Sequence, residues 1–263
     1  VGALLSYANF PLVQISGMDI EAKGNGEVTL MDGEDCPRQK ITGCRLCLDN
    51  WLDRTAGKWR RQREQGANLN VRGDNKSVLV AGNTFIKHGN DEALTFFTVS
   101  KDGNLIASTH ENIRVAGNTF TYLDSPASGT DPDSDGDTRP VHINVVLITF
   151  NGSNNVKTTW SNVLFTGNTI NLEGPVETAV AMNILLGDLC RNVEFAGNHL
   201  YHTYRQNRHK PGNSLGDGVE GGARTYVYSN SFTLRNKING DDLAPGTREQ
   251  AFGGTLDAAS TPV

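Results

Sequence analysis

Asn112-Ile113-Arg114-Val115-Ala116-Gly117-Asn118-Thr119-Phe120 is the stretch that decides the fold, because its pattern recurs along the chain. Apolar residues two positions apart lead into Gly-Asn, and a further apolar residue follows two positions later. Clear copies occupy residues 77–85, 162–170 and 192–200, and fainter copies occupy 13–20, 41–46 and 227–232. A repeat of this kind predicts a stack of similar structural units.

The spacing within each copy indicates strands. Apolar residues alternate with period two, whereas a helical repeat would place them every three or four positions. Gly and Asn tolerate the left-handed backbone that a tight bend needs. Each copy therefore predicts strand, bend, strand. Near-continuous apolar runs at 92–97, 141–150 and 178–185 are typical of buried parallel strands and predict a third strand in successive units.

The segments between copies vary in length. Gly82, Gly117, Gly167 and Gly197 are 35, 50 and 30 residues apart, so we expect a fixed stack with inserted loops. The insertions are placed at 51–70, 124–140 and 201–223, within one domain over 1–250 that a tail at 251–263 follows. Val1 is neither an initiator Met nor part of a leader pattern, so we expect the sequence to begin inside a longer polypeptide or after processing.

The repeat resembles a known family. Its pattern Val-x-Phe-x-Gly-Asn-Thr-Ile, with one Asn column, is similar to the pectin-lyase-like superfamily of right-handed parallel β-helices, in which stacked Asn side chains form a ladder at one corner. The column consists of Asn83, Asn118, Asn168, Asn198 and Asn230. The resemblance spans roughly residues 10 to 240. It implies an all-β fold, a right-handed single-stranded parallel β-helix (solenoid) with inserted loops.

Composition restricts the partners. Lys and Arg number 24 against 29 Asp and Glu, a net charge of −5, and this balance gives no broad attraction for nucleic acid or an anionic membrane. No apolar stretch is long enough to predict membrane insertion. Cys44-x-x-Cys47 invites a zinc or redox interpretation, but no second pair stands at ligand spacing, so structural thiols are favoured.

Catalysis would require carboxylates that stacking brings together. Alignment by the Gly-Asn bend places Glu92, His142 and Glu177 at the entry to the third strand of three successive units. Side chains two strands apart start about 10 Å from each other. That distance suits an inverting glycosidase, whose carboxyl groups are about 6.5–9.5 Å apart. Asp91 can replace Glu92, and Asp124 and Glu173 are further alternates; the competing interpretation is that these carboxylates only end strands at the surface.

Candidate glycan contacts lie in two of the predicted insertions. Tyr201, Tyr204 and Arg205 combine rings that stack on sugars with a group that binds hydroxyls or carboxylates, and Trp59 lies in the most basic insertion. The alternatives are aromatic side chains that cover the core and a solvated charged insert.

The insertion at 124–140 contains a candidate metal site. Asp131, Asp133, Asp135 and Asp137, with Gly136, match the D-x-D-x-D-G core of calcium loops. His142 stands at the twelfth position, where an EF-hand has Glu, so we predict either a Ca²⁺ site outside an EF-hand or an acidic loop without metal.

Motifs of pectinases are missing: Gly-His-Gly is absent and Asp241-Asp242 falls after the last repeat. The chain therefore most resembles phage tailspikes and related surface-glycan depolymerases. That resemblance implies a homotrimer in a virion tail or extracellular setting, which binds a bacterial surface polysaccharide and contacts other tail or surface-assembly proteins through flanking segments.

Three functions remain open. The first is hydrolysis of the polysaccharide without a cofactor, with Glu92 or Asp91 and Glu177 as acid and base and His142 assisting. The second is a non-catalytic receptor-binding or structural β-helix module. The third is a calcium-dependent polysaccharide lyase that uses the Asp-rich loop to neutralise a uronate.

Overall fold

A computed structural model gives the fold. Of the 263 residues it describes 2–23, 28–49, 67–88, 93–97, 99–101, 104–106, 108–122, 142–148, 159–173, 178–184, 190–204, 212–215, 225–228 and 231–236. The described part of the chain contains strands and turns and no helix. No helix able to cross a membrane occurs within these ranges.

Most strands belong to three parallel sheets of seven strands each. Sheet 1 consists of β1 (Gly2–Ala8), β4 (Val28–Glu34), β7 (Leu69–Arg72), β10 (Leu94–Phe97), β15 (His142–Ile148), β18 (Thr178–Ile184) and β21 (Gly212–Leu215). Sheet 2 consists of β2 (Val13–Ser16), β5 (Arg38–Thr42), β8 (Ser77–Ala81), β13 (Thr109–Ala116), β16 (Thr159–Thr166), β19 (Cys190–Ala196) and β22 (Thr225–Tyr228). Sheet 3 consists of β3 (Asp19–Lys23), β6 (Arg45–Asp49), β9 (Thr84–His88), β14 (Thr119–Tyr122), β17 (Thr169–Glu173), β20 (His199–Tyr204) and β23 (Ser231–Asn236).

The chain visits the three sheets in cyclic order. Each strand pairs in parallel with the strands one cycle before and after it, as in β8–β13 and β13–β16. A separate antiparallel hairpin, β11 (Val99–Lys101) with β12 (Asn104–Ile106), lies between β10 and β13. The prediction of an all-β fold with parallel sheets is confirmed.

The bends of the repeat fall between sheets 2 and 3. Gly82, Gly117, Gly167 and Gly197 have φ between 61° and 63°, so the left-handed backbone predicted for the bend is present at the glycine. The faint copies at 13–20, 41–46 and 227–232 also lie across strands of sheets 2 and 3. The strand-bend-strand prediction is confirmed in the four clear copies and in those at 13–20 and 41–46, where Gly17 and Gly43 have φ of 66° and 63°; in the copy at 227–232 the residues between the two strands lie outside the described part of the chain.

One hydrophobic cluster takes side chains from all three sheets, for example Leu94, Val115 and Phe120. In the core, residues stack on their counterparts in the next cycle. Phe85 lies on Phe120 with ring centroids 4.7 Å apart and planes at 9°. The register of the sheets therefore aligns the apolar columns that the repeat predicted.

A buried row of amides, the inner ladder, follows the glycine bends; it consists of Asn83, Asn118, Asn168 and Asn198, each 1 % exposed. The Nδ2 of Asn118 donates to the Oδ1 of Asn168 at 3.0 Å, and the backbone N–H of Asn118 donates to the same oxygen at 3.0 Å. The ladder satisfies the backbone groups that each bend leaves without a strand partner. Asn230, the fifth member of the predicted column, lies outside the described residues.

Two insertion boundaries were wrong. Residues 69 and 70, placed in the first insertion, begin β7 because Leu69 and Val71 fill the core between β4 and β10. The segment predicted as the third insertion, 201–223, contains the end of β20 and all of β21. The insertion at 124–140 lies outside the described residues, as does the tail at 251–263.

Candidate ligand-binding groove

The outer face of sheet 2 bends at the same place in three neighbouring strands. Asn112, Asn162 and Asn192, within β13, β16 and β19, have φ of 52°, 56° and 54°. Asn is one of the few residues that adopt this left-handed backbone readily. Because Glu111 and Asn112 precede the buried Ile113 and are both more exposed than it, two successive side chains face outward at the bend.

These three asparagines form an exposed outer ladder. The Nδ2 of Asn192 donates to the Oδ1 of Asn162, and the Nδ2 of Asn162 donates to the Oδ1 of Asn112, both at 3.1 Å. The Nδ2 of Asn112 donates to the carbonyl oxygen of Lys76 at 3.1 Å. A primary amide has two N–H donors and an oxygen with two lone pairs, so these bonds use only part of its capacity.

The outer ladder lines an open groove of about 550 Å³. A second row of side chains, Arg114, Leu164 and Glu194, runs along the groove because these residues are register partners in adjacent strands. Arg114 is exposed, whereas Leu164 and Glu194 are half-buried. The backbones of Arg114 and Glu194 are two strand spacings apart, about 10 Å.

The groove offers three kinds of contact. Amides of the outer ladder can exchange hydrogen bonds with hydroxyls, Leu164 supplies a small apolar surface, and Arg114 supplies a cation. A groove that crosses several strands suits an extended ligand better than a compact one. Sequence reasoning missed this site, although Asn leads three of the copies as Asn112-Ile113, Asn162-Val163 and Asn192-Val193.

A second group of polar and aromatic side chains is closed to ligands. His110, fully buried, stacks on Trp160 with centroids 4.0 Å apart and meets Phe96 edge-on at 6.3 Å. Its Nδ1 lies 3.2 Å from the Nδ2 of Asn75. Burial lowers the pKa of His110 to about 3, so the ring is neutral at physiological pH. This group belongs to the core.

Only some of the predicted catalytic residues lie in the described part of the chain. Glu92, Asp91, Glu177 and the alternate Asp124 lie outside the described residues. His142 begins β15, and its backbone pairs with Thr178, the residue that follows Glu177. Leu94 pairs with Val146, four residues after His142. The alternate Glu173 ends β17 opposite Thr203.

The predicted glycan contacts are placed differently. Tyr201 and Tyr204 were expected on a loop, which is wrong: both lie in β20, where Tyr201 pairs with Asn171 and Thr233 and Tyr204 pairs with Asn236. Parallel pairing on both sides of β20 continues sheet 3 through this segment. Arg205 and Trp59 lie outside the described residues.

The predicted metal residues Asp131, Asp133, Asp135 and Asp137 also lie outside the described residues. Within the described ranges, no three His, Cys, Asp or Glu side chains are grouped closely enough to hold a metal ion. Cys44 and Cys47 are buried free thiols, and the Sγ of Cys44 donates to the carbonyl oxygen of Thr42 at 3.5 Å. Burial raises the pKa of the Cys47 thiol, which favours its neutral form.

Comparisons of the chain with protein-family models, with curated proteins and with solved structures give no match.

Proposed function

We propose that the chain is a right-handed single-stranded parallel β-helix with inserted loops, and that it recognises a bacterial surface polysaccharide in the manner of phage tailspikes. Three observations support a β-helix: the cyclic order of the strands, the core cluster to which all three sheets contribute side chains, and the inner ladder. Fold alone does not give function, so the functional part of the proposal needs its own observation.

The observation that carries it is the outer ladder within the groove. Three exposed amides stand one strand spacing apart, about 4.8 Å, and face a shared depression of about 550 Å³. Repeated amides at regular spacing suit a ligand with repeated hydroxyls, which is the chemistry of a polysaccharide. Backbone bends at identical positions in β13, β16 and β19 hold these side chains outward, so little conformational freedom is lost on binding.

Hydrolysis of the bound polymer is the catalytic extension of this proposal. In it Glu92 or Asp91 and Glu177 act as acid and base, and His142 assists proton transfer. The support for it is that His142 lies on β15 and pairs with Thr178, so β15 and β18, the strands next to these residues, are neighbours in sheet 1. Assembly as a homotrimer, a virion-tail or extracellular location and a calcium ion at the Asp-rich loop are further parts of the tailspike proposal.

Binding is tested with one groove variant and one matched control. Asn162→Ala removes the middle amide of the outer ladder, and Asn9→Ala changes an equally exposed asparagine with φ of 60° between β1 and β2. We expect Asn162→Ala to weaken binding to a polysaccharide selected from a bacterial panel about tenfold, since lost hydrogen bonds cost about 1 to 1.5 kcal/mol. Unchanged affinity in Asn162→Ala, or an equal loss in both variants, contradicts the proposed groove.

Catalysis is tested by following reducing ends and ultraviolet absorbance together, with and without a chelator. The double variant Glu92→Gln, Glu177→Gln should retain binding and release no reducing ends. Undiminished release excludes these residues as the acid and base. An unsaturated, absorbing product that disappears with chelator indicates the lyase alternative, and binding without any product indicates the recognition module.

A further inference from the structure

A group of exposed cations, here called the basic patch, lies on the outer face of sheet 2 beside the groove. It consists of Arg38 and Lys40 on β5, Lys76 immediately before β8, and Arg114 on β13. Lys40 pairs with Leu79 and Leu79 pairs with Arg114, so both charges flank one half-buried leucine. The carbonyl of Lys76 accepts the hydrogen bond from Asn112, which joins the patch to the outer ladder.

The patch is short of opposite charge. Other cations of the described chain are paired: Arg72 lies 2.5 Å from Asp32 and 2.8 Å from Glu34, Arg45 lies 2.7 Å from Asp19, and Lys23 lies 3.5 Å from Glu21. None of the four patch residues has such a partner within the described residues. Arg38 instead donates from Nε to the carbonyl of Pro11 at 3.2 Å.

Three carboxylates border the patch: Asp35, an exposed residue whose Oδ1 accepts from the backbone N–H of Asp74 at 3.3 Å, Asp74 itself, and Glu111. Glu111 is half-buried at the start of β13, and Asp74 accepts a hydrogen bond from the backbone N–H of Thr109 at 2.7 Å. Glu194, at the far end of the groove, is separated from Arg114 by Leu164. Four cations therefore face three nearby carboxylates on a chain whose net charge is −5.

The surface next to the patch has low relief. The neighbouring outward position of sheet 2 holds Thr42, Ala81 and Ala116, which pair with one another across β5, β8 and β13. A Cβ atom added at the adjoining Gly82 or Gly117 would have no other atom within 4 Å, so the surface there is open. A polymer can thus lie flat against the sheet with its charged groups directed at the cations.

We propose that the basic patch binds the carboxylates of an acidic polysaccharide, whose chain continues across Leu79 and Arg114 into the groove. This inference rests on the proposed recognition of a polysaccharide and narrows it to acidic polymers. The planar guanidinium of Arg114 can bind a carboxylate through two parallel hydrogen bonds, and the lysines attract it over a longer range. A nucleic acid is a poorer fit, since the described outer positions of β5, β8 and β13 carry no aromatic side chain on which bases could stack.

The test compares carboxylated and neutral polysaccharides from a purified bacterial panel, by titration calorimetry at about 0.05 M and about 0.5 M salt, where screening differs strongly. The variant carries Lys40→Gln and Arg114→Gln. The control is Lys23→Gln, an exposed lysine on β3 whose side chain is 66 % accessible and lies in sheet 3. Thermal unfolding verifies that all three proteins fold.

We expect the wild type to bind carboxylated polymers preferentially and less tightly at high salt. The double variant should bind about 25-fold more weakly, about fivefold for each exposed charge contact, with a reduced salt dependence. Lys23→Gln should bind like the wild type. If neutral polymers bind as tightly as carboxylated ones and the double variant keeps this binding, the preference for acidic polymers is overturned. The proposed recognition of a polysaccharide is then unaffected. Binding of no polysaccharide overturns both proposals, and tighter binding of a single-stranded DNA oligonucleotide overturns the acidic polysaccharide as the partner.

Discussion

Replacing Asn118 with alanine tests whether the inner ladder holds the stack together. The Oδ1 of Asn118 accepts from the backbone N–H and the Nδ2 of Asn83 at 2.9 and 3.0 Å. Its Nδ2 donates to the carbonyl of Val80 at 2.8 Å and to the Oδ1 of Asn168 at 3.0 Å. All four bonds are lost in Asn118→Ala, and the groups that remain are buried.

The expected loss is calculated from those four bonds. Each contributes about 1 kcal/mol net, and a buried group left without a partner costs about 1 to 3 kcal/mol, so Asn118→Ala should lower the free energy of unfolding by about 4 kcal/mol or more. Asn162→Ala is the matched control, because its ladder bonds are exposed and water can replace them. Its cost should be about 1 to 2 kcal/mol, mainly from alanine at a φ of 56°.

Urea unfolding followed by circular dichroism measures both variants, and the slope shows whether the transition has kept its cooperativity. An array of stacked units can unfold in parts, so hydrogen exchange at the strands on either side of Asn118 gives an independent reading. A free energy of unfolding for Asn118→Ala within about 1 kcal/mol of the wild type, or equal to that of Asn162→Ala, would refute the assigned role of the inner ladder.

Three further predictions concern the core. Phe165 is 1 % exposed, so Phe165→Ala should lower the free energy of unfolding, measured in urea, by about 3 to 5 kcal/mol. A loss below about 1 kcal/mol would contradict the burial of this side chain. Burial lowers the pKa of His110 to about 3, so the unfolded chain takes up the proton first and stability falls as the pH drops below about 6.5. Between pH 7 and 4.5 the wild type should lose about 2 to 3 kcal/mol more than His110→Phe, and parallel pH profiles would contradict this. A Cβ at Gly33 would lie 2.5 Å from Tyr7, so Gly33→Ala should lower the melting temperature more than Gly82→Ala, which has open space and only the strain of its φ; the reverse order would contradict the packing.

The sequence predicted best what is local and repeated. The alternation around Gly117 and Asn118 located strands of sheets 2 and 3, and the common column of asparagines pointed to the inner ladder. Both depend on short-range patterns that one repeat contains in full. The hairpin of β11 and β12 was also within reach, because Asp102-Gly103 between them is a strong turn signal.

Sheet 1 was harder to predict because no common sequence pattern recurs in its strands. In β4, Thr29, Leu30 and Met31 are buried in succession, so alternation, the main signal of a strand, is lost. Tyr201 and Tyr204 were assigned to a loop from their composition, whereas pairing with β17 and β23 holds them in a strand. Tertiary pairing overrides local preference at such positions.

The groove depends on information that the residue types do not contain. From the sequence alone, Asn112 is expected to begin a strand. Only its φ of 52° explains why its side chain and that of Glu111 both face outward. The closeness of Lys40 and Arg114 likewise depends on register across three strands. Residues 74 positions apart become neighbours through pairings that no short window shows.

The inner ladder joins residues that are 35, 50 and 30 positions apart through the same pair of hydrogen bonds. The geometry of the inner ladder is therefore independent of the number of residues between one bend and the next. Insertions between bends can lengthen, shorten or be exchanged while the stack keeps its register. Such a scaffold can acquire new binding specificities by replacing whole segments, and stability and recognition can evolve as nearly separate traits.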